Sequence, residues 1–259
     1  MTANAVPLNE HELARSALVV APHPDDESLG CGGTILRKRG LAATVTIAFL
    51  TDGSHSHERQ VNPADMRVRR RAEALRAAAA LDVPESDVVF FDIEDTQLAT
   101  NERLATEGLR ALIRERRPVE VFLPSRFEMP ADHRAAYRAG LAAIRATRCR
   151  TTIREYPVWL WQHFPWARAE NYVGRSPLIR ARAALRANQR LLAGFRTRCE
   201  IAPVLEGKRR ALAAHASQMT GIAGHEHWPT LHDVSSGEFA ACFDRDREFF
   251  ETSEVNPDE

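Results

Sequence analysis

Lysine is almost missing from this chain. Of 35 basic residues only Lys38 and Lys208 are lysine, and 35 acids balance them to a formal net charge of zero. A protein that wraps nucleic acid needs surplus positive charge for the phosphates, so that class is excluded as a whole-surface activity. Long apolar runs are missing too: nothing approaches the ~20 residues of a membrane span. Residues 1–15 carry Asn9, Glu10, His11 and Glu12 and no basic start leading into an apolar stretch, unlike a secretory signal. Cysteine is scarce. Cys31, Cys149, Cys199 and Cys242 are scattered without CxxC spacing, which predicts reduced thiols in a cytoplasmic protein rather than a disulfide frame. What is present is ordinary for a folded chain: 44% hydrophobic and 27% charged over 259 residues, ample for a core and incompatible with wholesale disorder.

Up to about residue 156, short apolar runs alternate with helical patterns. Ala17–Ala21, Thr44–Leu50, Val88–Phe91, Val119–Leu123 and Thr151–Tyr156 read as strands. Helices are expected through Leu36, over Ala64–Ala80, from an Asn101 cap to about Arg116, and over about His133–Ala146. Strands alternating with crossover helices predict a Rossmann-like α/β fold, a mostly parallel sheet with helices on both faces. Its ligand belongs at the carboxyl ends of the strands. From Pro157 the pattern changes. Trp159, Trp161, Phe164 and Trp166 recur at a spacing that suits a packed strand in the core, with stacking on sugar faces as the alternative. Ser176-Pro177 opens a helix to about Phe195, and further helices are expected over Val204–Ser217 and Gly237–Phe250. With no linker, repeat or low-complexity tract, residues 1–259 read as one domain: a core of about 17–156 and a helical, aromatic elaboration of about 157–259.

Pro22-His23-Pro24-Asp25-Asp26-Glu27 follows the first of these strands. Two prolines forbid regular helix through the turn, so an imidazole and three carboxylates sit on irregular backbone where this fold puts its ligand. A helix-capping turn is the bland alternative; the density of chemistry-bearing side chains weighs against it. A metal would need one more ligand from a neighbouring strand end. Asp132-His133, beyond the strand ending at Leu123, supplies it. His, Asp and a second His form a usual zinc set that leaves a position open for water.

The run Ala21-Pro22-His23-Pro24-Asp25-Asp26-Glu27-Ser28-Leu29-Gly30-Cys31-Gly32-Gly33 resembles the signature of the PIG-L/LmbE-like zinc-dependent N-deacetylases. Thr51-Asp52-Gly53, Arg70 with Glu73, and Asp132-His133 follow in that family's order, with a weaker echo at His215-Ala216-Ser217-Gln218. The resemblance covers roughly residues 17–146. It implies one Zn2+ per chain, with Fe2+ as the alternative ion, held by His23, Asp26 and His133. It implies Asp25 as the general base that deprotonates metal-bound water and relays the proton to the departing amine. Arg70, Asp132 and His215 would then bind substrate, an N-acetylated amino sugar or its conjugate. One position departs. The family usually shows a His three residues before the last zinc ligand, and Pro130 stands there, unable to steady an oxyanion or assist a leaving group. His163, His215, His225, His227 and His232 are the substitutes to look for. Pro130 also motivates the alternative of a catalytically weakened metal- or sugar-binding module; an amidase for a non-sugar amide is the third reading.

Other signals are weaker. Gly30-x-Gly32 resembles a dinucleotide fingerprint, but its third small position falls on Ile35. His225-Glu226-His227-Trp228, with His232 and Asp233, reads as a polar loop in preference to a second metal site, or as a lid. His55 and His57 read equally as pocket rim or plain surface. Residues 175–198 hold seven arginines and no acid, and Leu178, Leu185 and Leu192 give that helix one apolar face for packing on the core. The sharper reading is a basic face for an anionic, phosphate-bearing or lipid-linked substrate or a membrane surface. The overall neutrality is thus a cancellation, because residues 226–259 hold ten acids against Arg245 and Arg247.

Overall fold

The computed structural model describes residues 5–163, 177–222, 224 and 227–256. Phe164, Trp166, Arg175, His225 and Glu226, and the side chains of His163, Leu178 and Arg180, lie outside that description. The elements begin with β1 (Val6–Pro7), α1 (Glu10–Leu13), β2 (Ala17–Ala21), α2 (Asp26–Arg39), β3 (Val45–Thr51), α3 (Pro63–Ala80) and β4 (Val88–Ile93). Then come α4 (Glu102–Arg116), β5 (Glu120–Pro124), α5 (Ala131–Thr147), β6 (Thr151–Tyr156) and α6 (Pro177–Ala193). The last are β7 (Thr197–Glu200), α7 (Leu205–Ala214), α8 (Ala216–Met219), α9 (Glu238–Ala241) and β8 (Arg247–Val255).

All eight strands join one sheet in the order β1-β7-β8-β6-β5-β2-β3-β4. From β6 to β4 every pairing is parallel, and β8 runs antiparallel to both β6 and β7. The central strands β2, β3 and β5 are buried at every residue, as their unbroken Val, Ile, Leu and Phe runs require. Leu29 and Ile35 of α2, Ala74 and Ala77 of α3 and Leu212 of α7 cover one face. Leu109 and Ile113 of α4 and Ala139 and Ile144 of α5 cover the other. The α/β expectation holds. A Cβ on Gly30 would stand 2.2 Å from the ring of Tyr156, so the glycine lets α2 lie close over β6.

The topology selects a place for chemistry. From β2 the chain steps outward to β3 and β4, then returns to lay β5 on the opposite side of β2. The turns leaving β2 and β5 therefore diverge around a crevice at the strands' carboxyl ends. At the opposite, amino end lies a structural charge cluster. Glu120 meets Lys38 and accepts from Arg154 at 2.6 Å, and Arg154 also reaches Glu12 at 3.0 Å.

Three expectations for the C-terminal part fail. Gly237–Phe250 is not one helix: only α9 is helical there, and Arg247–Val255 inserts as β8 between β6 and β7. Its first half, Arg247–Phe250, pairs with β7 and its second half, Glu251–Val255, with β6, and Phe250 buries edge-on against Phe122 at 5.3 Å. The described part of the aromatic segment is not a strand, since Trp159–His163 forms a 3-10 turn, but its packing on the core holds for Trp161, which is buried there with Trp159 against it. In α6 the two described heptad leucines do not face the core: Leu185 and Leu192 are 60% and 55% exposed, while Leu191, and Phe195 just past the helix, are buried. No described helix is long and apolar enough to cross a membrane.

Candidate active site

His23 and Asp26 leave β2, Asp95 follows β4, and Asp132 and His133 begin α5 after β5; the three strand ends bring them together. Asp26 Oδ2 accepts the His23 backbone N–H at 3.0 Å and stands 3.3 Å from His23 Nδ1 and 3.4 Å from His133 Nε2. The two imidazoles lie 5.3 Å apart, centroid to centroid. On its other edge His23 Nε2 faces Asp95 Oδ1 at 3.1 Å and Asp132 Oδ2 at 3.5 Å. Donor atoms of His23, Asp26 and His133 all lie within 4.8 Å of one another, as do those of His23, Asp95 and Asp132.

The first set fits a divalent cation. His133 is fully buried, and neither ring nitrogen has a hydrogen-bond partner. Burial pushes its pKa down to about 4, so the ring is neutral and a lone pair is available. Burial alone would raise Asp26, but the rings of His133 and His23 hold its carboxyl below the ordinary range. Burial would likewise lower His23, and hydrogen bonds to Asp132, Asp26 and Asp95 keep it well above its ordinary value. An orphaned neutral imidazole beside an anionic carboxylate is costly to bury unless something cationic completes it.

Asp25 is strained into place. Its φ of 141° is unusual for a residue with a side chain, and its N–H donates to Glu27 Oε2 at 3.0 Å. Burial pushes its pKa up to about 6, against the pull of Arg70, whose two Nη atoms stand 3.4 Å from Asp25 Oδ2. Gly53 makes room for that guanidinium: its φ is 63°, and a Cβ there would come within 2.7 Å of Arg70 Nε. Asp52 accepts the N–H of Asp95 at 3.0 Å, and Glu73 holds Ser217 through its N–H at 2.9 Å and its hydroxyl at 2.6 Å.

These residues open on a cavity of about 220 Å³. His23, Asp25, Asp26, Arg70 and Asp95 form its polar side, with Ser56 and Gln218. Leu29, Pro130, Trp159 and Leu231 form the apolar side. Among the residues expected to touch substrate, Arg70 lines this space. Asp132 is buried behind His23, with Oδ2 accepting the Thr96 N–H at 2.8 Å and Oδ1 unpaired. His215 is fully buried with Nε2 2.8 Å from Glu27 Oε1, so it supports the acid that holds Asp25.

None of the described histidines from the C-terminal half stands where Pro130 leaves a gap. His227 is exposed, and His232 lines a different hollow with Arg209 and Asp244. Arg70, Gln218, the Ser56 hydroxyl and the Trp159 indole N–H are the described donors on the cavity outside the His23–Asp26 cluster. From the segment around Trp228, Leu231 reaches the cavity lining. Trp228 stacks on His57 at 4.2 Å and donates to the Ser217 carbonyl at 2.7 Å, which puts His57 behind the wall rather than on the rim. His55 is held by Glu58 and Glu94. On α6, Arg186 and Arg190 border a separate hollow with Glu251. The acids of β8 pair elsewhere: Glu248 with Lys208, Glu251 with Arg126 and Glu254 with Arg150.

Sequence reasoning missed Asp95 and Glu128. Asp95 carried a signal, an acid just past a predicted strand. Glu128 carried none; its carboxylate accepts the N–H groups of Val158, Trp159 and Leu160, and burial pushes it up to about 8.

A mostly parallel sheet with a His/Asp/His cluster at its switch point defines the class: an α/β protein built around a candidate mononuclear metal centre. Residues 18–144, just under half of the chain, match the PIG-L family, GlcNAc-PI de-N-acetylase. The diacetylchitobiose deacetylase of Thermococcus kodakarensis is 32% identical over 134 residues, covering 50% of this chain and 49% of that one. The match thus spans about half the length of that curated relative. The N,N'-diacetylchitobiose deacetylase of Pyrococcus horikoshii, solved with an inhibitor, is similar in structure at a TM-score of 0.60 and 19% identity, over 92% of this chain and 84% of that one. A zinc-inhibited form of a teicoplanin deacetylase gives 0.61 at 16% identity, over 93% and 98%. Likenesses at these identities show a shared fold.

Proposed function

We propose that this protein is a metal-dependent hydrolase that removes the acetyl group from an N-acetylated amino sugar or its conjugate. One observation carries the reading: the orphaned, neutral His133 converges with His23 and Asp26 beside a buried, strained Asp25. His23, Asp26 and His133 would hold the zinc, which when bound polarises the amide carbonyl and acidifies water. Asp25 takes a proton from the attacking water and returns it to the nitrogen of the leaving amine, so amide and water become amine and acetate. Its pKa of about 6 leaves it ionised at neutral pH and still able to give the proton back. Arg70 keeps it ionised, while Glu27, backed by His215, holds its backbone.

With Pro130 on the cavity wall, no described imidazole faces the oxyanion from that side, and Arg70, Gln218, Ser56 and the Trp159 indole N–H are the described donors that could meet it. Pro130 likewise supports the second reading, a sugar-binding module with residual turnover. Because β7 and β8 lie in the same sheet as the core, we also take the chain as one domain. The test is acetate release from N,N'-diacetylchitobiose and a panel of N-acetylated glycosides. Turnover abolished by a chelator and restored by zinc is the expected result. Zinc binding without acetate release from any member favours the module, and chelator-insensitive turnover overturns the metal.

A further inference from the structure

Glu128 is a buried acid that the mechanism above leaves idle, yet it touches both halves of the site. It stands in the turn between β5 and α5 and is 2% exposed. Oε1 accepts the N–H groups of Val158 at 2.8 Å and Leu160 at 3.3 Å, and Oε2 accepts that of Trp159 at 2.7 Å. Those residues make the turn that follows β6, and from it Trp159 forms the apolar wall of the cavity, stacked on Phe239 at 4.9 Å. The same Oε2 stands 3.5 Å from His133 Nδ1, a buried nitrogen that forms no hydrogen bond. His133 Nε2, on the other edge of the ring, faces Asp26.

An imidazole that gives its Nε2 lone pair to a cation carries its proton on Nδ1, and that buried N–H needs an acceptor. Glu128 Oε2 is the carboxylate oxygen within 4.0 Å of Nδ1 among the described residues. A closing movement of a few tenths of an ångström brings the pair within ordinary N–H···O distance of about 3.2 Å. We propose that Glu128 is a positioning residue: it sets the tautomer and orientation of His133, hence the strength of cation binding, and with the same carboxylate anchors the Trp159 wall. The inference rests on the cation site proposed above.

Glu128→Gln discriminates sharply. Its single oxygen can still accept from Val158 and Leu160, while the NH2 group in place of Oε2 faces His133 Nδ1 and the Trp159 N–H and accepts from neither. The experiment measures zinc affinity by competition with a chromophoric chelator in wild type, Glu128→Gln, Glu128→Asp and Trp159→Ala. It also reads the His133 tautomer from 15N chemical shifts in the zinc-loaded protein. Expected are a 10- to 100-fold loss of zinc affinity in Glu128→Gln, on the order typical for the acceptor behind a ligand histidine. Glu128→Asp, which keeps an acceptor on a shorter stem, recovers part of it. Trp159→Ala leaves zinc affinity unchanged, and wild-type His133 shows the Nδ1–H tautomer. Wild-type affinity in both Glu128 variants overturns the inference, as does an Nε2–H tautomer in zinc-loaded wild type, which a protonated Glu128 donating to Nδ1 would produce. Should Glu128→Gln not fold, Glu128→Asp and the wild-type shifts still decide. A wild type that binds no zinc at all is a different failure: it removes the cation site, and this inference with it.

Discussion

Removing Arg70 should move the working pH of Asp25 upward. The two guanidinium nitrogens stand 3.4 Å from Asp25 Oδ2, and both residues are buried, at 2% and 7% exposure. At an effective dielectric of about 20, unit charges that close interact by about 5 kcal/mol; with water filling the vacated space the figure approaches about 1 kcal/mol. A pKa unit corresponds to about 1.4 kcal/mol, so Arg70→Met should raise Asp25 by about 1 to 3.5 units from its value of about 6. The sign is fixed: a neighbouring cation favours the carboxylate, and its loss favours the acid. A general base works ionised, so the acid limb of kcat/KM should move to higher pH by that amount. The assay is acetate release at saturating zinc across the pH range. Both proteins carry the same cation, so its field largely cancels in the comparison. An unmoved limb refutes the coupling, and a limb moved downward refutes the sign.

Asp25→Asn keeps the shape of the turn and removes the base, so turnover should fall about 10²- to 10⁴-fold while zinc stays bound; retained turnover contradicts the role. In wild type, zinc at about 100 times its Kd should add about 2.7 kcal/mol of stability, seen as a rise in Tm. His133→Ala should abolish that rise, and an undiminished rise would remove His133 from the ligand set. Far from the site, Glu120→Gln leaves Lys38 and Arg154 buried without their carboxylate. Breaking such a cluster costs about 3–5 kcal/mol, and at about 2–4 °C per kcal/mol for a chain of this size Tm should fall by roughly 10 °C. Calorimetry within about 2 °C of wild type would show that the cluster contributes little.

The five parallel strands were legible because four of them are built on short apolar runs and the fifth, Thr151–Tyr156, is rich in β-branched and aromatic residues, and such segments in alternation with helices fold in few ways. The Pro22–Glu27 turn was legible because chemistry-dense sequence on irregular backbone at a strand end has few structural uses. β8 was not. Arg247–Val255 is a strand because β6 and β7 offer it two open edges, and those partners are remote in sequence. Leu178, Leu185 and Leu192 kept a heptad spacing that pointed to the core, yet Leu185 and Leu192 face outward; local periodicity does not say which face finds a partner.

What the sequence by itself determined is the inventory: a parallel α/β frame, and a His/Asp-rich turn poised to leave β2. It also determined that Pro130 offers no donor, because proline has no N–H or O–H to donate in any fold. Only the tertiary structure decided who meets whom. Strand order places β5 beside β2, and so brings His133 to Asp26 across more than a hundred residues of chain. It also swings Asp95 onto His23 and sets Glu128 behind His133. Burial did the rest: a carboxyl and an imidazole taken out of water acquire pKa values of about 6 and about 4 that their sequence neighbours do not announce, since desolvation belongs to the assembled site.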